Sequence, residues 1–572
     1  MRGSTVVIII IIALIVLVVL RNRTVVKNEE RGKREQKWGR RSDRPISSDK
    51  MKDIAGLDRV LSRQTAADGS QFRIDDITWN DLGMDAVYAA ADTCVSSAGE
   101  EYLYHLLRTP YTDEERLSAR RGRIAYFRDH PDDAVGDLLQ LSDLGKVRDC
   151  SFAETIHALG DAEHISIIGS VVQLALLIVT ILMIVFRIRF ALPAFFIILI
   201  YNIVTYFRKR EVVGDQIVSV NWLICLIRVA KRAVRCLRPG ERGGDDALFG
   251  GIRGEIEACL SALSGIPGLG TLITAGGMKG SFIDGLLDYV RMASHLDLIA
   301  FEALRSRAAR HEEAITRLLC AVGEWESCIV LASWMESRPD FCPAEFHGDR
   351  GIRLANASHP LLDDPVPNGL EADRGILLTG SNASGKSTFL KTAAICVLFA
   401  QTTGFAPAEA YRAPFFRLYS SMSLSDSIEK GESYYVAEIR SLKRVADAAG
   451  REGAPVICFL DEVLRGTNTV ERIAASSSLL KALAQEGVTV FAATHDLELT
   501  KLLEGTLDNY HFEEELASSD VSFTYRILSG PAQTRNAISL LSRTGFDSEL
   551  TARAAAMAEE YERTGEWTWN AE

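Results

Sequence analysis

At 572 residues with 47% apolar composition, the chain is too long for one ordinary domain and carries enough apolar side chains to bury several cores. A formal net charge of -12 excludes a basic surface spread over the whole protein, so any contact with nucleic acid must be local. Ten cysteines run from Cys94 to Cys458 with no C-x-x-C pair and no Cys/His cluster, which suggests neither a zinc site nor a disulfide framework.

In chain order, Val6 to Leu20 is uninterrupted apolar sequence, followed by Arg21, Arg23, Lys27, Arg31, Lys33, Arg34, Lys37, Arg40 and Arg41. It reads as a membrane anchor with a basic flank. A cleaved signal peptide would need a stronger basic start and a small-residue cleavage site. The anchor is short against the ~20 residues of a spanning helix. The basic flank suits anionic lipid headgroups better than DNA. Residues 42–70 show no sustained period and read as a linker, and 77–145 show the apolar spacing of packed amphipathic helices.

Ile165 to Phe186, the turn Arg187-Ile188-Arg189, and Phe190 to Phe207 before Arg208-Lys209-Arg210 read as a transmembrane hairpin. Positive charge after Leu20 and after Phe207 puts those flanks in the cytoplasm, with the N-terminus and the turn outside. This predicts a multi-pass protein of the plasma membrane whose bulk faces the cytosol. Residues 211–340 return to the helical texture, so the two helical stretches read as one bundle split by the hairpin. From about Arg353, apolar runs such as GILLTG, PVICFLDE and VTVFAATH alternate with helical stretches, the pattern of a parallel α/β sheet.

Within that region Gly380-Ser381-Asn382-Ala383-Ser384-Gly385-Lys386-Ser387 follows the strand Ile376-Leu377-Leu378 and opens the helical run from Thr388. This is G-x-x-x-x-G-K-[ST] in its strand-loop-helix setting. Backbone amides at a helix N-terminus can hold phosphate oxygens, Lys386 can reach the β- and γ-phosphates of ATP, and the Ser387 hydroxyl can bind Mg2+. The strand Val456 to Leu460 delivers Asp461, a second magnesium group, and Glu462, which can orient or deprotonate the attacking water. Val488 to Ala493 leads to Thr494-His495, where an imidazole can sense the γ-phosphate. Glu462, His495 and Lys386 are the expected catalytic residues.

These motifs resemble the MutS mismatch-repair family. TGSNASGKST is similar to that family's TGPNMGGKST, and LDEVLRGTNTVER to its LDEIGRGTST segment. Ser358-His359-Pro360, Pro367-Asn368, Gly404-Phe405-Ala406-Pro407-Ala408 and residues 426–439, DSIEKGESYYVAEI, resemble further family elements. The resemblance implies an ABC-type P-loop ATPase, with Ser433 reaching the nucleotide of the opposite subunit and hence a homodimer with two composite sites. It also implies that Thr534 to Ile538 and the helical tail after it dimerise.

Departures bear on function. No mismatch-reading domain is expected before the helical core, the hairpin fills the space of the long lever arms, and Leu464 stands where the family has glycine. The expected fold is multidomain, a MutS-like α-helical core/lever bundle plus an α/β P-loop ATPase domain, with transmembrane helices. The expected segments are anchor 1–24, basic/polar linker 25–70, helical core 71–160, hairpin 161–210, core/lever 211–345 and ATPase domain 346–572. Two functions compete: a membrane-anchored ATPase coupled to mismatched or structured DNA, and an ATP-driven switch for a membrane or protein partner. A transporter half is set aside, because three short spans make a poor pathway and no LSGGQ-type signature is present.

Overall fold

The computed structural model describes residues 29–65, 72–158, 167–238, 240, 246–266, 289–338, 340–349, 351–381, 384–422, 434–516, 521–532, 538, 541 and 546–569. The expected anchor Val6 to Leu20 and the expected site residues Asn382, Ala383 and Ser433 lie outside the described residues. Packing divides the chain into a helical unit, Met1–Ser70 with Tyr88–Leu106 and Gly122–Ser337, and an α/β unit, Gln71–Val87 with Leu107–Arg121 and Arg338–Glu572.

The helical unit is built around the helix Glu312–Glu336, whose side chains from Ile315 to Met335 are almost all buried, Trp325 and Trp334 among them. This helix is long and apolar enough to cross a membrane, yet 89% of its apolar window is buried inside the unit, which makes it a core helix. The two hairpin helices differ: only 22% of the window in Ile167–Val185 and 17% of that in Ala191–Glu211 is buried. Their apolar side chains, such as Ile168, Val185, Phe196 and Ile200, face outward. Polar groups sit between them instead, with Lys209 Nζ donating to Ser170 Oγ at 2.9 Å and to Gln173 Oε1 at 3.0 Å.

Two stretches differ from the sequence reading. Residues 48–65, read as linker, form the helices Ser48–Ile54 and Gly56–Thr65. Ser47 caps the first by accepting from Lys50 N, and Ile54, Leu57 and Val60 are buried at helical spacing. The hairpin's second helix does not stop at Arg210 but runs unbroken from Ala191 to Cys236. Val220, Leu223, Ile227, Ala230 and Ala233 are buried along it at three- and four-residue intervals, so packing sustains the helix beyond the basic cluster.

The α/β unit holds two sheets. Strands β1 (Phe341–Phe346), β2 (Ile352–Ala357), β3 (Asn368–Ala372), β5 (Phe405–Pro407) and β6 (Ala410–Ala413) form the first, in the order β3-β2-β6-β1-β5. The second has the order β11-β10-β4-β9-β8-β7, from β4 (Ile376–Thr379), β7 (Arg417–Ser421), β8 (Val456–Asp461), β9 (Thr489–Ala493), β10 (Asp508–Leu516) and β11 (Val521–Ser529). Its pairs are parallel from β7 through β10, whereas β11 runs antiparallel to β10, so the sheet is mixed where the sequence suggested a parallel one. Strand β4 is buried at every position, and β8 and β9 at all but one, which is why they read as continuous apolar runs.

The short helix Asp76–Asp81 belongs to this unit, although its spacing matched the helical bundle. Buried Asp81 accepts from Ser420 Oγ at 2.6 Å and from Met422 N at 2.9 Å, and Thr78 Oγ1 accepts from Ser420 N at 3.1 Å. Arg120 likewise donates to Thr402 O at 2.7 Å. Amphipathic spacing shows that a helix buries one face but not which partner covers it.

Candidate nucleotide site

The site grows from the C-terminal ends of β4, β8 and β9. Register places Leu378 beside Ala493 and Ala493 beside Asp461, so the loops that leave these three strands converge. This is where open α/β sheets hold ligands.

After β4 the chain turns at Gly380, with φ of 140°, and enters the helix Lys386–Thr403 through Gly385, with φ of 106°. Both angles are strained for residues with a Cβ, which is what those two glycines supply. Ser384 Oγ donates to Ser381 O at 2.8 Å, and Lys386 Nζ donates to Gly380 O at 2.8 Å and to Ser381 O at 2.6 Å. The ammonium is therefore curled into its own loop, at the helix N-terminus where free amides favour an anion.

Asp461 ends β8 near the Ser387 hydroxyl, which favours its ionised form. Burial raises its carboxyl above the usual value, and the Ser387 hydroxyl only partly opposes that. Its Oδ1 is buried without a hydrogen-bond partner among the described residues. A half-satisfied carboxylate beside a hydroxyl is a hard-oxygen donor set that fits Mg2+.

Glu462 follows with φ of 51°, its N–H donating to Ala493 O at 3.0 Å. His495 Nε2 donates to its Oε1 at 2.8 Å, and Arg465 pairs with its Oε2 at 2.8 Å. The His495 hydrogen bond, ahead of burial, holds the Glu462 carboxyl below its ordinary value. His495 is steadied next door, where Arg472 grips Asp496 with two bonds of 2.8 and 2.7 Å.

A cavity of about 400 Å³ opens over these groups. Of the expected residues, Ser381, Gly385, Lys386, Ser387, Thr388 and Glu462 line it. Gly380 and Ser384 shape the loop, Asp461 is joined through Ser387, and His495 through Glu462.

Its far wall comes from residues to which sequence reasoning gave no role: His359, Leu362, Val366, Asn368, Phe512 and Tyr525. Tyr525 lies over the loop, so close that a Cβ on Gly385 would sit 3.3 Å from its Cδ1. Asn368 locks it there, with Nδ2 donating to Tyr525 O at 2.8 Å and Oδ1 accepting from Ile527 N at 2.8 Å. Burial, then the charges of Lys391 and Arg338, lower His359 to about 4, so it is neutral at physiological pH. A neutral imidazole and a tyrosine suit a flat nucleobase. Pro367-Asn368 and Ser358-His359-Pro360 were visible as motifs, but nothing local to Tyr525 signals its place, which depends on the β10–β11 register.

Glu438 was likewise seen only as part of a longer motif. Its buried carboxylate accepts from Leu464 N, fixing the loop after Glu462, where Leu464 itself has φ of 60°. Burial raises the Glu438 carboxyl, opposed by the Leu464 and Arg465 amides.

Residues 376–562 match the model of MutS domain V. The chain is 32% identical over 262 residues to the DNA mismatch repair protein MutS of Thermus thermophilus, covering 45% of this chain and 32% of that protein. It is 29% identical over 273 residues to the DNA mismatch repair protein MutS of Natronomonas pharaonis, covering 46% and 31%. It is also 28% identical over 304 residues to the DNA mismatch repair protein MutS 2 of Haloarcula marismortui, covering 47% and 31%. The chain thus spans about a third of the length of the curated relatives it matches. Residues 376–562 of the α/β unit thus match MutS domain V, and over its C-terminal half the chain is similar to proteins of the MutS family.

Proposed function

We propose that the protein is a membrane-anchored, Mg2+-dependent ATPase in which ATP binding and hydrolysis are coupled to binding of mismatched or structured DNA. The observation that carries the ATPase reading is the convergence of Lys386, Ser387, Asp461, Glu462 and His495 about one cavity, at a glycine-shaped loop that opens a helix. The DNA part is supported by relatives described as DNA mismatch repair proteins.

In this reading the loop amides and Lys386 bind the phosphates, and Ser387 with Asp461 holds magnesium, which when bound neutralises charge on the phosphate oxygens. Glu462, kept ionised by His495, accepts a proton from the attacking water or orients it. Ser433 would complete the site of a second copy, so the working form is a homodimer.

The hairpin helices supply the membrane reading, since their outward faces are apolar and their polar groups are turned between them. The α/β unit would then lie in the cytoplasm of a multi-pass plasma-membrane protein. Protease protection of the Arg187 to Arg189 turn in sealed vesicles tests that topology.

A second reading, an ATP-driven switch for a membrane or protein partner, is favoured by the outward apolar faces of the two hairpin helices. ATPase turnover of the detergent-solubilised protein, with homoduplex, mismatched and branched DNA at two salt concentrations, separates the two. Salt-sensitive stimulation by one DNA form supports coupling to DNA. Turnover that ignores every DNA favours the switch.

A further inference from the structure

The helical unit contains an open cleft of about 1050 Å³ that the nucleotide chemistry does not use. Its floor is electrically settled. Lys50 Nζ lies 3.3 Å from Glu100 Oε2, and Lys146 bonds the other oxygen of Glu100. Its rim is not settled: Lys33, Lys37, Arg40 and Arg44 line it, and none forms an ion pair with a described residue. Arg34 stands among them with a buried Nε that has no hydrogen-bond partner among the described residues, and burial pushes its guanidinium below the ordinary value against the charges of Glu30 and Glu326. In a chain of net charge -12, the cations Lys33, Lys37, Arg40 and Arg44, which outnumber the rim carboxylates Glu30 and Asp43, mark a local site for a polyanion.

A bilayer surface is the first polyanion to weigh, because the basic stretch follows an apolar segment. The fold argues against it. Cleft residue Asp143 is ion-paired to Arg232, which lies on the same unbroken helix as Phe207, at the end of the hairpin's apolar stretch. At ~1.5 Å per residue the intervening helix is roughly 37 Å long. A tilt of ~40° still leaves about 28 Å of height, against a screening length of ~8 Å at physiological salt. With the hairpin in a bilayer, the cleft stands out of reach of the headgroups.

Among the described residues no aromatic side chain lines the cleft, so they offer no platform for stacking unpaired bases. Ammonium and guanidinium groups without base-reading partners suit phosphates held at fixed positions on a backbone. We propose that this cleft binds the phosphate backbone of duplex nucleic acid, as a sequence-independent site separate from the nucleotide cavity. The proposal rests on the DNA-coupled reading of function and gives it a location in the helical unit.

The test uses the full chain in neutral detergent, a fluorescently labelled duplex of ~20 base pairs, and anisotropy titrations across a range of KCl concentrations. Four phosphate contacts give a slope of log affinity against log salt of about -3.6. The variant with Lys33→Gln, Lys37→Gln, Arg40→Gln and Arg44→Gln should lose about that much slope while its basal ATPase turnover stays unchanged, which also reports that it is folded. Equal affinity and slope in both proteins would overturn the cleft assignment and leave DNA coupling standing elsewhere. A wild-type chain that binds no duplex would overturn both. Phosphatidylglycerol-doped micelles that bind the wild type but not the variant, with DNA held equally by the two, would transfer the cleft to lipid and overturn the proposal.

Discussion

His495 Nε2 stands 2.8 Å from Glu462 Oε1, the two residues following β9 and β8, which pair as neighbours in the second sheet. The pair keeps Glu462 ionised, because its carboxyl is held low first by this hydrogen bond. In an active enzyme the acid limb of the pH profile therefore sits below the ordinary glutamate range. His495→Ala should move that limb to higher pH, read from kcat against pH, while nucleotide affinity stays near the wild-type value. A limb that does not move would remove His495 from this role.

Glu462→Gln keeps the shape and loses the base. Removing a general base costs typically 10²–10⁴-fold. Single-turnover hydrolysis should fall by at least about 100-fold, with ATP still bound. Normal turnover would mean that another group positions the water.

Asp461 shows function opposing stability. Burial raises its carboxyl, so ionising it at neutral pH works against the folded state, and that cost shrinks as pH falls through the folded value and is gone below the unfolded one. Asp461→Asn should therefore raise the thermal midpoint of the nucleotide-free protein while removing the magnesium dependence of nucleotide affinity. Calorimetry with and without Mg2+ reads both effects, and a lowered midpoint would count against this account.

In the helical unit, buried Glu326 accepts from Val95 N, Ser96 N and Ser96 Oγ. Burial outweighs these donors and lifts its carboxyl to about 7, while burial takes Glu101 to about 8. Both folded values lie above the ~4.3 of a free glutamate. The stability linked to them is present at acid pH and is lost as pH rises through about 7 to 8. The thermal midpoint should fall between pH 5.5 and pH 8, and Glu326→Gln should flatten that fall. Glu326→Ala leaves the Ser96 and Val95 donors unpaired and should cost about 2–4 kcal/mol by denaturant titration.

Leu464 combines a left-handed backbone with a buried side chain, at 6% exposure. Leu464→Gly would relieve roughly 1–2 kcal/mol of backbone strain but lose about 2–3 kcal/mol of apolar burial and add ~1 kcal/mol of chain entropy. The net expectation is a loss of about 1–3 kcal/mol with ATPase turnover retained, measured by chemical denaturation beside steady-state kinetics.

The sequence by itself determined the glycine-shaped loop after β4, the two carboxylates after β8 and the histidine after β9. Those groups must follow a strand or open a helix, so their chemistry is written in contiguous residues. It also determined two apolar helices on either side of Arg187 and Arg189, because their uninterrupted apolar runs are written in contiguous residues. Tertiary structure alone decided that Tyr525 covers Gly385, that Glu438 fixes Leu464, that the helix Asp76–Asp81 serves the α/β unit, and that the Glu312–Glu336 helix is core and not a span. Each of these depends on which distant surface meets an apolar or polar face. Sequence spacing gives the period of that face, and only packing gives its partner.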